Sequence, residues 1–371
     1  VNARRTHESG LSLIELLVAL AIGAFLIFGA TQVYVDSRNA YGVNETVARM
    51  QETARYALSA IEPDVRMANY WGLVKGASII TQQASQQSAT AVPNWSGVTA
   101  CGINFATDLN ATIQADDNSY LTNWTGPGTA TMVPSSCDTI TQADGSAWST
   151  SPVSTADTLT VRRASVVASP PTDGWLQICS TRIAGQVTAN GLTTFGVPCP
   201  AAPTGQVNNL IVNAYYIDQN SSQADGLPSL RRKSLIHPAG GQSRFADQEV
   251  IPGVEDMQVQ FGIDNTGIDA VATRYVNPAD LEAVLQAGGQ VVSVRVWLLI
   301  RSDTPEAGFT DNRVYEYGDR TGVAVGDLTD PGAAGHAYDP SLSGDAGPTG
   351  RQHHRRLLVS RTIQIRNALG T

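Results

Sequence analysis

A stretch near the start of the chain sets the strongest limit on its fold. From Gly10 to Val35 it reads GLSLIELLVALAIGAFLIFGATQVYV, apolar except for Ser12, Glu15, Thr31 and Gln32. As a helix from Leu11 to Val35 it would extend roughly 37 Å, which suits one crossing of a hydrocarbon core of about 30 Å. Arg4 and Arg5 precede it, and Asp36 is the first charge after it. The positive-inside rule therefore puts the N-terminus in the cytoplasm and the bulk of the chain on the far side of the membrane. A secretory signal peptide and a plain single-span anchor are the ordinary readings of such a segment. The apolar stretch exceeds the roughly 7 to 15 residues of a signal core. Neither reading gives Glu15 a task, although a carboxylate inside an apolar span is costly. A cut between Gly10 and Leu11 makes Glu15 the fifth residue, about 6 Å along the helix from the new amine and close to the head groups.

A short basic leader ending in Gly10, then Leu11-Ser12-Leu13-Ile14-Glu15, then an aliphatic helix, resembles the class III leader of type IV prepilins and type II secretion pseudopilins. The resemblance implies that an inner-membrane prepilin peptidase cuts after Gly10 and methylates the amine of Leu11. The family most often has Phe at that position, so Leu11 is a departure. The resemblance also implies a role for Glu15, which would pair with the N-terminal ammonium of a neighbouring subunit when helices enter a filament core. A charge in an apolar bundle is expensive, and a neutralising partner removes most of that penalty.

Helical periodicity continues from Gly42 to Arg66. Val43, Val47, Met50, Ala54, Ala57, Leu58, Ile61 and Val65 recur at three- and four-residue steps and share a face. Glu45 with Arg49, Glu52 with Arg55 and Glu62 with Arg66 are spaced for pairing on the other face. Pro63 predicts a bend or an end near Glu62. Residues 76 to 156 are rich in Ser, Thr, Gln, Ala and Gly with almost no charge, which reads as long loops with a few edge strands. Alternating runs then predict half-buried strands at Leu159 and Val161, Asn208 to Asp218, Met257 to Ile263, Val292 to Ile300 and Val359 to Ile365. Pro278 to Ala287 reads as a later helix. Helix first and strands afterwards predicts an α+β fold. A long N-terminal α-helix, membrane-spanning in its first half and amphipathic in its second, precedes a large antiparallel β-rich domain with long loops. The expected organisation is a leader over 1–10, an assembly helix over 11–66 and a globular domain over 67–371.

The strands from Val250 to Asp264 and Val291 to Ser302, the final arginine-punctuated strand ending Arg366-Asn367, and the junction Asp64-Val65-Arg66-Met67-Ala68-Asn69-Tyr70-Trp71-Gly72 resemble the PilW family of minor pilins. The pseudopilin J group shares the helix-then-sheet plan. Resemblance to PilW implies a place in type IV pilus assembly, with other minor pilins and the major pilin as partners through the helix and a tip adhesin as a further candidate.

Composition narrows the remaining options. The net charge of -9 weighs against nucleic acid as a partner. Lys75 and Lys233 are the only lysines, and neither sits in a GxxxxGK[ST] phosphate loop. Cys101, Cys137, Cys179 and Cys199 fall in the part expected to be exported, where disulfides are the default. Four cysteines admit three pairings, and neighbour pairing, Cys101 with Cys137 and Cys179 with Cys199, is the expected one. No CxxC, HExxH or GxSxG occurs, so no catalytic residue, metal ligand or cofactor is assigned. His353 and His354 read as a solvated pair on opposite sides of a strand. Asp303 to Gly350, with Asp311, Asp319, Asp327 and Asp330, reads as a mobile surface loop without the spacing of a calcium loop. The reading that follows is a non-enzymatic minor pilin at the tip or initiation complex of a type IV pilus, because the part beyond Arg66 is too bulky for a shaft subunit. A type II secretion pseudopilin is the nearest alternative. A membrane-anchored periplasmic enzyme or carbohydrate-binding protein is the alternative of another class.

Overall fold

The computed structural model describes residues 12–83, 103–120, 150–190, 199, 204–267, 269–306, 308–344 and 350–368. The chain forms two compact units, residues 1–49 and 50–371. Helix α1 (Leu13–Arg66) contributes to both. Within the second unit its stripe of Met50, Ala54, Ala57, Leu58, Ile61 and Val65 is buried, as the periodicity requires. On the polar side Arg49 pairs with Glu45 at 2.7 Å, and Arg66 pairs with Glu62.

Pro63 does not end the helix near Glu62; α1 runs on to Arg66. Tertiary bonds hold that last turn. Asp64, 4% exposed, accepts from Tyr215 Oη at 2.7 Å, Asn213 Nδ2 at 2.6 Å and Arg163 Nη2 at 2.8 Å. Glu62 also meets Arg361 at 2.9 Å. Charge-assisted bonds of this kind offset the one helical bond that proline removes.

After α1 come β1 (Tyr70–Trp71) and β2 (Val74–Lys75), a two-stranded antiparallel pair. The next elements are β3 (Ile80–Thr81), α2 (Ile103–Thr107), β4 (Ile113–Asp116), β5 (Thr158–Ala168), β6 (Asp173–Thr181), β7 (Gly185–Asn190), β8 (Gly205–Asp218), β9 (Ser229–Ile236) and β10 (Arg244–Pro252). Among the described residues these strands form an eight-stranded sheet, in the order β10-β9-β8-β6-β7-β3, with β5 on the other edge of β8 and β4 outside β5. One edge of β8 pairs first with β6, Asn208 opposite Ile178, then with β9, Tyr215 opposite Arg232. Its other edge pairs with β5. All pairings are antiparallel except β3 with β7. A core of Trp71, Phe105, Leu176, Ile178, Leu210, Val212 and Phe245 packs against this sheet.

The second sheet is built from β11 (Val254–Asp264), β12 (Arg274–Val276), β13 (Gln290–Arg301) and β16 (Arg356–Gln364), with α3 (Pro278–Gln286) between β12 and β13. Its order is β12-β11-β13-β16. β14 (Thr321–Val325) and β15 (His336–Tyr338) form a short parallel pair. The runs at Met257 to Ile263, Val292 to Ile300 and Val359 to Gln364 are strands, as their alternation predicts, and Ile365 lies just past the last of them.

Three expectations about this half are corrected. β11 is not half-buried: Asp256 and Gln258 are as enclosed as Met257 and Val259. The segment expected to be a mobile loop covers them. Tyr315, Tyr317, Arg320 and Tyr338 are buried, and Tyr317 Oη donates to Asp256 Oδ2 at 2.6 Å. Gly318 makes the close approach possible; it holds φ +63°, and a Cβ there would fall 2.8 Å from Gln258 Cβ. Third, His353 and His354 lie at a 3-10 turn, not on a strand. His353 Nδ1 meets Phe309 O at 2.6 Å. His354, 7% exposed, meets Ser302 O at 2.8 Å.

Cys179 on β6 and Cys199 form a disulfide across a separation of 20 residues, with Cα atoms 5.8 Å apart. Cys101 and Cys137 lie outside the described residues. Closing a loop of that size restricts the unfolded chain by about 3 kcal/mol. Replacing Cys179 and Cys199 together by Ser is expected to lower unfolding free energy by about 2–3 kcal/mol, read by chemical denaturation of the full chain in detergent.

Candidate assembly site at the start of the helix

Ser12 and Glu15 create the first turn of α1. The pattern Ser-x-x-Glu is a capping box, and its glutamate half forms: Ser12 N–H donates to Glu15 Oε2 at 3.2 Å. This satisfies one of the donors that a helix start leaves without a partner. It also puts a carboxylate against the positive end of the helix dipole. Glu15 is exposed. Gly10 and Leu11 lie outside the described residues.

Around and beyond Glu15 the helix shows apolar side chains on all sides. Leu13, Leu20, Phe25, Ile27, Phe28 and Val33 are each more than 60% exposed. No soluble surface has that character over so long a span. The polar side chains within the stretch close on the helix itself: Thr31 Oγ1 donates to Ile27 O at 2.7 Å, and Gln32 Nε2 donates to Asp36 Oδ1 at 3.3 Å. The helix is long and apolar enough to cross a membrane. Glu15 remains the single charged side chain between Ser12 and Val35.

Groups that might have pointed to catalysis do not converge. His237 bridges Ser243 Oγ, at 2.7 Å, and Leu210 O, at 2.8 Å; Ser243 is fully buried and accepts from Leu176 N–H. Burial lowers the pKa of His237. The acids of the 303–350 segment have separate tasks. Asp311 accepts from Tyr315 Oη at 2.9 Å, Asp319 from Asn118, Asp327 from Arg351, and Asp330 caps a turn through Gly332 N–H. Among the described residues no group of three His, Cys, Asp or Glu is placed to hold a metal.

Comparison with known families decides between the readings. Residues 5–31 match the prokaryotic N-terminal methylation motif, and residues 214–367, from β8 through the end of the second sheet, match PilW, type IV pilus-assembly protein W. The two matches support reading the chain as a type IV pilus minor pilin of the PilW family. It is a minor pilin of type IV pilus assembly and a structural component of the pilus. No curated protein and no solved structure matches it. The methylation motif and the uncovered apolar helix make its N-terminus a membrane anchor. The match to a pilus-assembly family implies interaction with other pilins.

The capping bond from Ser12 to Glu15 was legible as Ser-x-x-Glu but absent from the sequence reading, which treated Glu15 only as a pairing charge. The PilW match also includes Asp256 and Arg320, a buried pair that no local sequence pattern marks.

Proposed function

We propose that this minor pilin is processed between Gly10 and Leu11 by a prepilin peptidase and methylated on the Leu11 amine. The assembly helix of residues 11–66 then carries the domain of 67–371 into the tip or initiation complex of the pilus. Before assembly the protein spans the bacterial inner membrane with its N-terminus cytoplasmic and its domain periplasmic. It has no enzymatic activity. Glu15 acts in assembly by accepting the terminal ammonium of a neighbouring pilin.

The observation that carries this reading is the exposed Glu15 carboxylate, held by one backbone N–H in a helix that is otherwise uncharged to Val35. A carboxylate so placed costs several kcal/mol in an apolar bundle unless a cation meets it. The bulk of the second unit supports a filament end, where stacking around a narrow helical core does not limit size.

Glu15→Ala is expected to leave leader cleavage intact while reducing surface piliation at least tenfold, with Glu15→Asp intermediate. Piliation is counted by electron microscopy, and cleavage is read by mass spectrometry of the mature N-terminus. Normal piliation in Glu15→Ala would remove the pairing role, and a mature terminus other than Leu11 would remove the proposed cleavage site.

A further inference from the structure

The last strand, β16, has β13 on one side and, among the described residues, no strand on the other; just past its end Arg366 N–H donates to Arg66 O at 3.0 Å, so the unpaired stretch lies before that point. Two bonds beyond the strand ends set its hydrogen-bonding phase. Ser302 N–H donates to Arg355 O and Ile365 N–H donates to Val292 O, both at 2.9 Å. In an antiparallel ladder hydrogen-bonded residues alternate, so 355, 357, 359, 361, 363 and 365 bond toward β13. The N–H and C=O groups of Leu358, Ser360 and Thr362 therefore point to the open edge. Ser360, Arg361 and Thr362 are exposed. β16 contains no proline, glycine or lysine, and its register with β13 runs without a bulge. Those are among the devices by which edge strands resist pairing; a further one, a charged side chain, is present in the exposed Arg361.

Charge selects the occupant. At the C-terminal end of β16 a recess of about 390 Å³ is lined by Arg66, Gln364 and Arg366 among others. Arg66 and Arg361 share one carboxylate, Glu62, and Arg366 has no ion-pair partner among the described residues. Glu62 is thus the one ion-pair partner that Arg66, Arg361 and Arg366 have among the described residues. A second copy of this chain fits poorly, because its β16 offers the exposed Arg361 and no acidic residue to meet these arginines.

The geometry points to β16 as a docking edge for an extended segment of another polypeptide, whose terminal carboxylate or acidic last residue enters the Arg66–Arg366 recess. Backbone hydrogen bonds supply affinity, and the arginines fix direction and register. This contact is separate from helix packing and does not depend on Glu15.

The test uses the full chain in detergent micelles and a labelled heptapeptide, Thr-Val-Thr-Val-Thr-Val-Asp, with a free C-terminus. Its neutral counterpart ends in Asn amide. Expected results are saturable binding of the acidic peptide, at least fivefold tighter than the neutral one, and slower hydrogen exchange over residues 356–364. Ser360→Pro removes an outward N–H that β13 does not use, and should weaken binding at least tenfold; Ser360→Ala should bind like the unaltered chain. Arg366→Glu should abolish the preference for the acidic peptide without requiring any change in the sheet. Undiminished binding by Ser360→Pro, equal binding of the two peptides, or no binding would overturn the proposal. Protection of 356–364 that rises with protein concentration in the absence of peptide would assign the edge to a second copy instead. Protection independent of concentration and peptide would assign it to this chain's own residues. Either result also overturns the proposal.

Discussion

Replacing Arg320 by methionine should destabilise the second unit by about 3–5 kcal/mol, the usual cost of leaving one member of a buried ion pair alone. Arg320 and Asp256 are both 0% exposed and meet at 2.6 Å. The same guanidinium donates to Thr155 O at 2.6 Å and to Ala333 O at 3.4 Å. One side chain therefore ties β11, the turn before β5 and the covering segment together. Without it, the Asp256 carboxylate keeps only Tyr317 Oη as a side-chain donor. Adding Asp256→Asn should recover at least half of the loss, because the amide is neutral and its oxygen still accepts from Tyr317. Urea denaturation of the full chain in detergent checks both values. A loss below 1 kcal/mol in Arg320→Met would mean that the pair does not hold the covering segment in place.

The second large effect depends on pH. Burial alone would raise the Glu255 carboxyl, but Arg356, at 2.5 Å, and Arg301, at 3.6 Å, hold it down to about 2. A group depressed in the folded state stabilises fully above its unfolded pKa and loses that contribution as pH falls through the folded value. From an ordinary value of 4.5 the difference is worth about 3 kcal/mol at neutral pH. Glu255→Gln should therefore be about 3 kcal/mol less stable at pH 7. The gap between it and the unaltered chain should shrink to under half of that by pH 3. Burial, with Arg301 beside it, lowers His354 to about 4, so the unfolded chain takes up that proton first and His354 adds acid sensitivity between roughly pH 6.5 and 4. Paired denaturation curves from pH 7 to pH 3 separate the two, since only the Glu255 contribution is absent from the variant. A constant gap across that range would show that Glu255 is not held ionised by Arg356.

Some elements are written in short windows of sequence. The run Gln290-Val-Val-Ser-Val-Arg-Val-Trp-Leu-Leu-Ile-Arg301 needs only its β-branched residues and its alternation to be a strand, and it is β13. The stripe from Met50 to Val65 likewise needs only helical spacing. β9 is the opposite case. Ser229-Leu-Arg-Arg-Lys-Ser-Leu-Ile236 has three cations in a row and looks like a solvated turn, yet Arg231 is fully buried against Asp247 at 2.7 Å. Lys233, 1% exposed, sits 5.3 Å from the ring of Tyr120 and 5.2 Å from that of Tyr216. No window around residue 231 contains the partners that make those charges tolerable.

The start of the molecule follows the same division. Ser12, Glu15 and the aliphatic residues to Val35 act through neighbours three or four positions away, so the capped helix and its unbroken apolar surface are properties of that segment alone. The sequence by itself therefore determined the anchor, the processing motif, the amphipathic stripe and the longest strands. Only the tertiary structure decided that Pro63 sits inside the helix, that the 303–350 segment is a folded cover, and that β16 pairs on one edge with no strand among the described residues. The physical reason is distance along the chain: Arg320 finds Asp256 from 64 residues away, and Arg356 finds Glu255 from 101. Whether a charge is buried depends on that encounter and not on the residues beside it.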